Sequence, residues 1–142
     1  MYSGQATVNA YKKLHYVLIT SKRDMATDPL QIWFNGGPGC SSMMGIFQEH
    51  GPYVVEDGTD FLHENIWSWN NQANILYIDQ PAGVGFSTCD STQGTCAYTD
   101  ELAASEAVTA LVDWFGKYSD FATHDLFVSG ESYGGIYVPF TS

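Results

Sequence analysis

Residues 130–134 read Gly-Glu-Ser-Tyr-Gly, a G-x-S-x-G pentapeptide, and Gly135 follows at once. That spacing suits a nucleophilic serine, Ser132, held in a strained conformation on a sharp turn between a strand and a helix. Positions 130 and 134 must pack closely on such a turn, and a residue without a Cβ fits there most easily. An ordinary glycine-rich turn with a solvent-facing serine has the same pattern, but it leaves a second glycine turn unexplained. That turn is "WFNGGPGCSS", residues 33–42. Attack on a carbonyl builds negative charge on its oxygen, which preorganised N–H groups stabilise. One such donor can follow the nucleophile while another comes from an early strand-to-helix loop. The N–H groups of Tyr133 and Gly37 occupy those two places. A phosphate cradle is the other use of such a loop, but no Lys-Ser/Thr follows it and the chain is acidic.

The elements that must position these turns are legible in outline. "ATVNAY" and "LHYVLIT" are rich in β-branched and aromatic residues and predict a hairpin or two adjacent antiparallel strands. "LQIWF" (30–34) breaks into the first glycine turn and predicts a buried strand, with a short helix over "SSMMGIFQEHG" closed by Gly51 and Pro52. "ANILYID" (73–79) and "DLFVS" (125–129) predict two further buried strands. Between them Ala104, Val108, Leu111, Val112 and Phe115 recur at helical spacing, with Thr99 or Asp100 as the cap. Strands alternating with helices predict an α/β class, with a mostly parallel sheet flanked by helices. Three such strands with one long helix make part of such a sheet.

Sixteen acidic against five basic residues give a net charge of -11, which excludes nucleic acid as a partner. No apolar run is long enough for a membrane span, and the start, "MYSGQATVNAYKK", lacks the hydrophobic region of a signal peptide. Cys89 and Cys96 stand close enough in a turn-rich segment to bridge, which leaves Cys40 without a partner. The four histidines, His15, His50, His63 and His124, are dispersed, and no metal-ligand spacing occurs. No cofactor or metal is expected.

"WFNGGPGCSS", "NIWSWNNQANILYIDQPAGVGFST" and "GESYGGIYVP" resemble, in order and spacing, the signatures of the serine carboxypeptidase family, which includes carboxypeptidase Y and cathepsin A. The resemblance extends from "YSG" at Tyr2 to the end of the chain. It implies an α/β-hydrolase fold, here partial, with residues 1–142 as the N-terminal portion of a single domain. It also implies removal of C-terminal residues from peptides or proteins at acidic pH, in a lysosome, a vacuole or outside the cell. Ser132 matches the family nucleophile, and Gly37 and Tyr133 match its oxyanion donors. Asn35, the Gly36 backbone, Glu49 and Glu131 match the group that binds the substrate's terminal carboxylate, with Trp33 buttressing it. Two glutamates suit a carboxylate only if the close pair holds a proton, so peptide binding should tighten below neutral pH. Ile66 and Phe34 depart from the commoner proline and leucine. Met43 and Met44 fit core filling or the lining of an acyl pocket.

In this architecture the catalytic Asp and His follow the nucleophile. "YGGIYVPFTS" contains neither, and no histidine falls at a position that the family uses for catalysis. Cys40 commonly pairs, in the family, with a cysteine further along. The resemblance therefore implies a fragment that is truncated at both ends and, by itself, inactive. Acyltransferases and hydroxynitrile lyases of the same family remain alternatives, as does a non-catalytic fragment that binds peptide C-termini.

Overall fold

Two strands open the chain in the computed structural model, which describes residues 1–55, 58 and 60–142. β1 (Tyr2–Thr7) and β2 (Lys12–Ile19) pair antiparallel, as the β-branched and aromatic runs predict. Asn9 closes their turn by accepting from the backbone N–H groups of Tyr11 and Lys12. β3 (Leu30–Phe34) follows, then a short antiparallel pair, β4 (Tyr53–Val55) and β5 (Leu62–Glu64). β6 (Asn74–Ile78) is buried along its whole length, and β7 (Thr88–Cys89) is a two-residue strand beside β2. Helix α1 (Asp100–Lys117), β8 (Leu126–Gly130) and helix α2 (Gly134–Thr141) complete the order.

The main sheet runs β1-β2-β6-β3-β8, with β7 also paired to β2. β3 pairs parallel with both β6 and β8, while β2 joins β6 antiparallel. The sheet is thus mixed, parallel across β6, β3 and β8 and antiparallel on its N-terminal side. One face packs Leu14, Leu18, Ile32, Phe34 and Leu76 against Ala107, Ala110, Trp114 and Tyr137 of the two helices. The other face gathers Val17, Ile19, Trp33, Ile75 and Tyr77 around Ile46. This is the α/β-hydrolase arrangement in part.

Three sequence expectations need correction. First, α1 begins as predicted, with Thr99 Oγ1 accepting from Leu102 N at 3.2 Å, but its buried face is rotated from the expected one. Ala104 and Leu111 are buried as expected, but the face also takes Ala103, Ala107, Ala110 and Trp114, whereas Val108 and Val112 are exposed. Alanines let the helix lie close on the sheet, and Trp114 fills the remaining space. Second, β8 was expected to be buried, yet Leu126 and Phe127 are about half exposed because β8 pairs only with β3 among the described strands. Third, residues 45–49 form one wide helical turn, with His50 N bonded to Gly45 O at 2.9 Å, where a short regular helix was expected.

Helix α1 is tied to β2 by a buried ion pair, Lys12 Nζ to Glu106 Oε1 at 2.6 Å. Cys89 and Cys96 form a disulfide, as their spacing allows, and Cys40 is free among the described residues.

Candidate active site

The parallel register sets Phe34 of β3 opposite Gly130 of β8, so both strands end level and release their glycine turns side by side. Glu131 N donates to Phe34 O at 3.3 Å, and Gly134 N to Glu131 O at 2.7 Å, which bends the chain from β8 into α2. At the apex Ser132 has φ +53°, the only positive φ at a non-glycine residue among those described. Left-handed backbone of this kind is strained for a residue with a Cβ. The surroundings enforce it. A Cβ on Gly130 would lie 2.6 Å from Phe34 O and 3.2 Å from Gly134 Cα.

The upstream turn presses against this apex. A Cβ on Gly36 would stand 2.5 Å from Tyr133 N, 2.7 Å from Glu131 O and 2.9 Å from Ser132 Cβ. Backbone meets backbone here, so only glycine fits. Gly37 follows with φ +110°. Among the described residues, neither Gly37 N–H nor Tyr133 N–H donates to a protein acceptor. Two free donors on abutting segments beside an exposed serine are what a developing oxyanion requires.

Asn35 links the two turns. Its Nδ2 donates to Glu49 Oε1 at 2.8 Å and to Glu131 Oε1 at 3.0 Å. Its Oδ1 accepts from Trp33 Nε1 at 2.8 Å and from Gly45 N at 3.1 Å, and Asn35 N donates to Ser42 Oγ at 3.1 Å. Those donors to Oδ1 fix the amide's orientation, leaving its NH2 aimed at the carboxyl groups. The resemblance named Asn35, Glu49, Glu131 and Trp33, and the fold brings all four together. Ser42 and the Gly45 N–H were missed; they act through hydrogen bonds that no residue pattern announces.

Two more contacts stabilise the site. Tyr133 Oη lies 3.0 Å from each carboxylate oxygen of Asp100, tying the elbow to the first turn of α1. Asp79 follows β6 and accepts from Ser41 Oγ at 2.6 Å, Ser42 N at 2.8 Å and Phe86 N at 3.0 Å. A buried carboxylate with this many donors pins two loops at once. An acidic residue at the end of a buried strand, before "QPAGVG", is the signal that would have found it.

The histidines lie away from Ser132 in their bonding. His15 Nδ1 is 3.2 Å from Asp79 Oδ2, His124 Nδ1 meets Asp28 O at 2.7 Å, and His50 Nδ1 meets Tyr77 Oη at 3.0 Å. His63 sits in β5. Burial pushes the His50 imidazole down to about 4 and the Tyr77 phenol well up. A cavity of about 370 Å³ lies elsewhere, lined by Gln31, Trp67, Trp69 and Gln72 among others, and it includes none of the residues around Ser132. No His/Cys/Asp/Glu cluster among the described residues has the makings of a metal site.

The serine carboxypeptidase family model matches residues 1–142. A serine carboxypeptidase from Caenorhabditis elegans is 43% identical over 97% of this chain and 25% of its own length. The lysosomal protective protein of Mus musculus is 41% identical over 97% of this chain and 29% of its own. The crystal structure of a prohormone-processing carboxypeptidase from Saccharomyces cerevisiae superposes with a TM-score of 0.84 at 31% identity, covering 99% of this chain and 32% of that one. The chain thus spans between a quarter and a third of the length of these relatives.

Proposed function

Because the chain belongs to the serine carboxypeptidase family, we propose that it carries the nucleophile, oxyanion donors and carboxylate site of an enzyme trimming peptide C-termini at acidic pH. On this reading residues 1–142 are the N-terminal portion of one α/β-hydrolase domain. Ser132 Oγ adds to the scissile carbonyl carbon, and the oxyanion so formed is held by the N–H groups of Gly37 and Tyr133. Collapse of that intermediate expels the C-terminal residue as an amine and leaves an acyl ester on Ser132, which water then hydrolyses.

A base must take the serine proton and return it to the leaving amine. Residues 133–142 offer neither Asp nor His, and His15, His50 and His124 are engaged elsewhere. On this reading the base is supplied from outside residues 1–142, and these 142 residues alone are slow or inert toward acylation. Labelling with a serine-directed phosphonate tests this: rapid, complete reaction at Ser132 of the isolated chain would contradict it.

The observation that carries the substrate assignment is the Asn35 amide shared by Glu49 and Glu131. Asn35 and the Gly36 backbone supply donors for a terminal carboxylate, and the glutamates can join them only while a proton is held between them. Ionised, the pair repels the same ligand. Peptide binding should therefore tighten as pH falls from neutral. Titrating the chain with an N-acetylated dipeptide and with its C-terminal amide, at pH 5 and pH 7, decides the matter. The free acid should bind more tightly at pH 5, with the amide indifferent to pH; equal affinity for both peptides sinks the assignment.

The disulfide between Cys89 and Cys96 fits an oxidising compartment, and a lysosome, a vacuole or the extracellular space is proposed as the location.

A further inference from the structure

His50 closes the helical turn that carries Glu49, and its ring is boxed by aromatic side chains. Trp69 stacks on it at 4.0 Å between centroids, Trp33 meets it edge-on at 4.4 Å, and Tyr77 lies at 5.5 Å. Its Nδ1 is 3.0 Å from Tyr77 Oη. Its Nε2 is buried without a hydrogen-bond partner among the described residues and stands 4.0 Å from Glu49 Oε2.

The tautomer follows from counting hydrogens. Tyr77 Oη has no other hydrogen-bond partner among the described residues, so donation to His50 Nδ1 avoids burying an unpaired phenolic hydrogen. A neutral imidazole carries one hydrogen, which then sits on Nε2 and faces Glu49. Glu49 and Tyr77 are the titratable groups facing the ring; Trp33 and Trp69 carry no charge, and Glu131 connects only through Asn35.

Asn35 Nδ2 has two hydrogens, and the two glutamates use both. A peptide carboxylate that bonds to this amide must displace one of them. We propose that His50 is a positioning residue that receives Glu49 during that exchange: Glu49 leaves Asn35 Nδ2, closes the 4.0 Å gap and accepts from His50 Nε2. The freed Asn35 hydrogen goes to the peptide carboxylate. No proton changes owner in this step; one acceptor is traded for another. The buried, unpaired Nε2 is thereby explained as a donor that waits for ligand. The exchange rests on the carboxylate-site reading above, whereas the tautomer rests on the geometry alone.

The test uses the whole 142-residue chain with ¹⁵N-labelled histidine. Free of ligand, His50 should be neutral at pH 5.5 with its hydrogen on Nε2, and an N-acetylated dipeptide acid should move that resonance while the dipeptide amide leaves it in place. His50→Leu should weaken the acid about tenfold, the loss of one hydrogen bond to a charged group, and leave the amide unchanged. His50→Gln, which keeps a donor near the Nε2 position, should recover most of the affinity. A hydrogen found on Nδ1, or His50→Leu binding the acid as tightly as the unsubstituted chain, overturns the exchange. If His50→Leu fails to fold, the wild-type titration and His50→Gln decide alone. Failure of the substrate reading looks different: the unsubstituted chain would then not prefer acid over amide at all.

Discussion

Tyr133 and Asp100 are joined by a forked hydrogen bond, the phenolic oxygen lying 3.0 Å from each carboxylate oxygen. The bond connects the residue after the candidate nucleophile to the first turn of α1, where a carboxylate also suits the helix dipole. The hydrogen bond to the Asp100 carboxylate raises the Tyr133 phenol above its ordinary value, so the phenol stays a donor through neutral pH. Tyr133→Phe should loosen the elbow without unfolding the sheet. Hydrogen exchange of the Gly134 and Ile136 amides, which donate to Glu131 O and Tyr133 O, should quicken about tenfold while amides in β6 keep their protection. Uniform loss of protection would show that the bond supports the whole fold instead.

Gly36→Ala should be among the most damaging single substitutions. Its Cβ would come within 3 Å of three atoms of the elbow, two of them backbone and unable to rotate away. Urea unfolding should report a loss of roughly 2 kcal/mol or more.

Ser132 is strained and exposed, which makes the opposite outcome testable. Ser132→Gly removes the Cβ that disfavours φ +53° and should hold stability or raise it by up to about 1 kcal/mol. Ser132→Val should lower it. Catalytic serines on elbows trade stability for exposure of the hydroxyl, and this pair of substitutions measures that trade.

His50 gives a pH dependence whose sign is fixed by burial. The folded imidazole is held down at about 4, against an unfolded value near 6.5, so the unfolded chain binds the extra proton first on acidification. The contribution is complete above pH 6.5 and is lost as pH falls toward 4. It amounts to about 2 kcal/mol once partial access of water is allowed for. His50→Leu should flatten the stability profile across that window; a profile unchanged by the substitution would assign the acid loss to other groups.

The buried pair between Lys12 and Glu106 should resist being halved. Lys12→Met leaves Glu106 buried without its cation, at about 3 kcal/mol or more, while the double change Lys12→Met with Glu106→Leu should restore most of that loss. Thermal melts of the single and double variants separate the two cases.

The sequence was most legible where local chemistry decides local structure. Thr99 marks the start of α1 because its hydroxyl caps a helix whatever lies around it. Gly130, Ser132 and Gly134 mark an elbow because few residues tolerate that backbone. Val108 and Val112 misled because periodicity counts hydrophobicity, whereas the sheet accepted the small alanines beside them and took Trp114 for bulk. Leu126 and Phe127 read as buried because the sequence of a strand does not state whether it has neighbours on both sides. The bonds that join Asn35 to Ser42 Oγ and to the Gly45 N–H were beyond pattern reading, since each depends on tertiary placement. Asp100 was read only as a helix cap, and nothing in its neighbourhood announces a partner at Tyr133.

The amide of Asn35 holds carboxyl groups that lie 14 residues downstream, at Glu49, and 96 residues downstream, at Glu131. The longer closure can form only where β8 lies beside β3, because Glu131 follows directly on β8. The pocket is thus an assembly checkpoint: it does not exist in a chain folded only as far as the first glycine turn. Affinity for a peptide terminus then doubles as a gauge of completed folding, and in a urea titration it should vanish no later than the strand that brings Glu131 home.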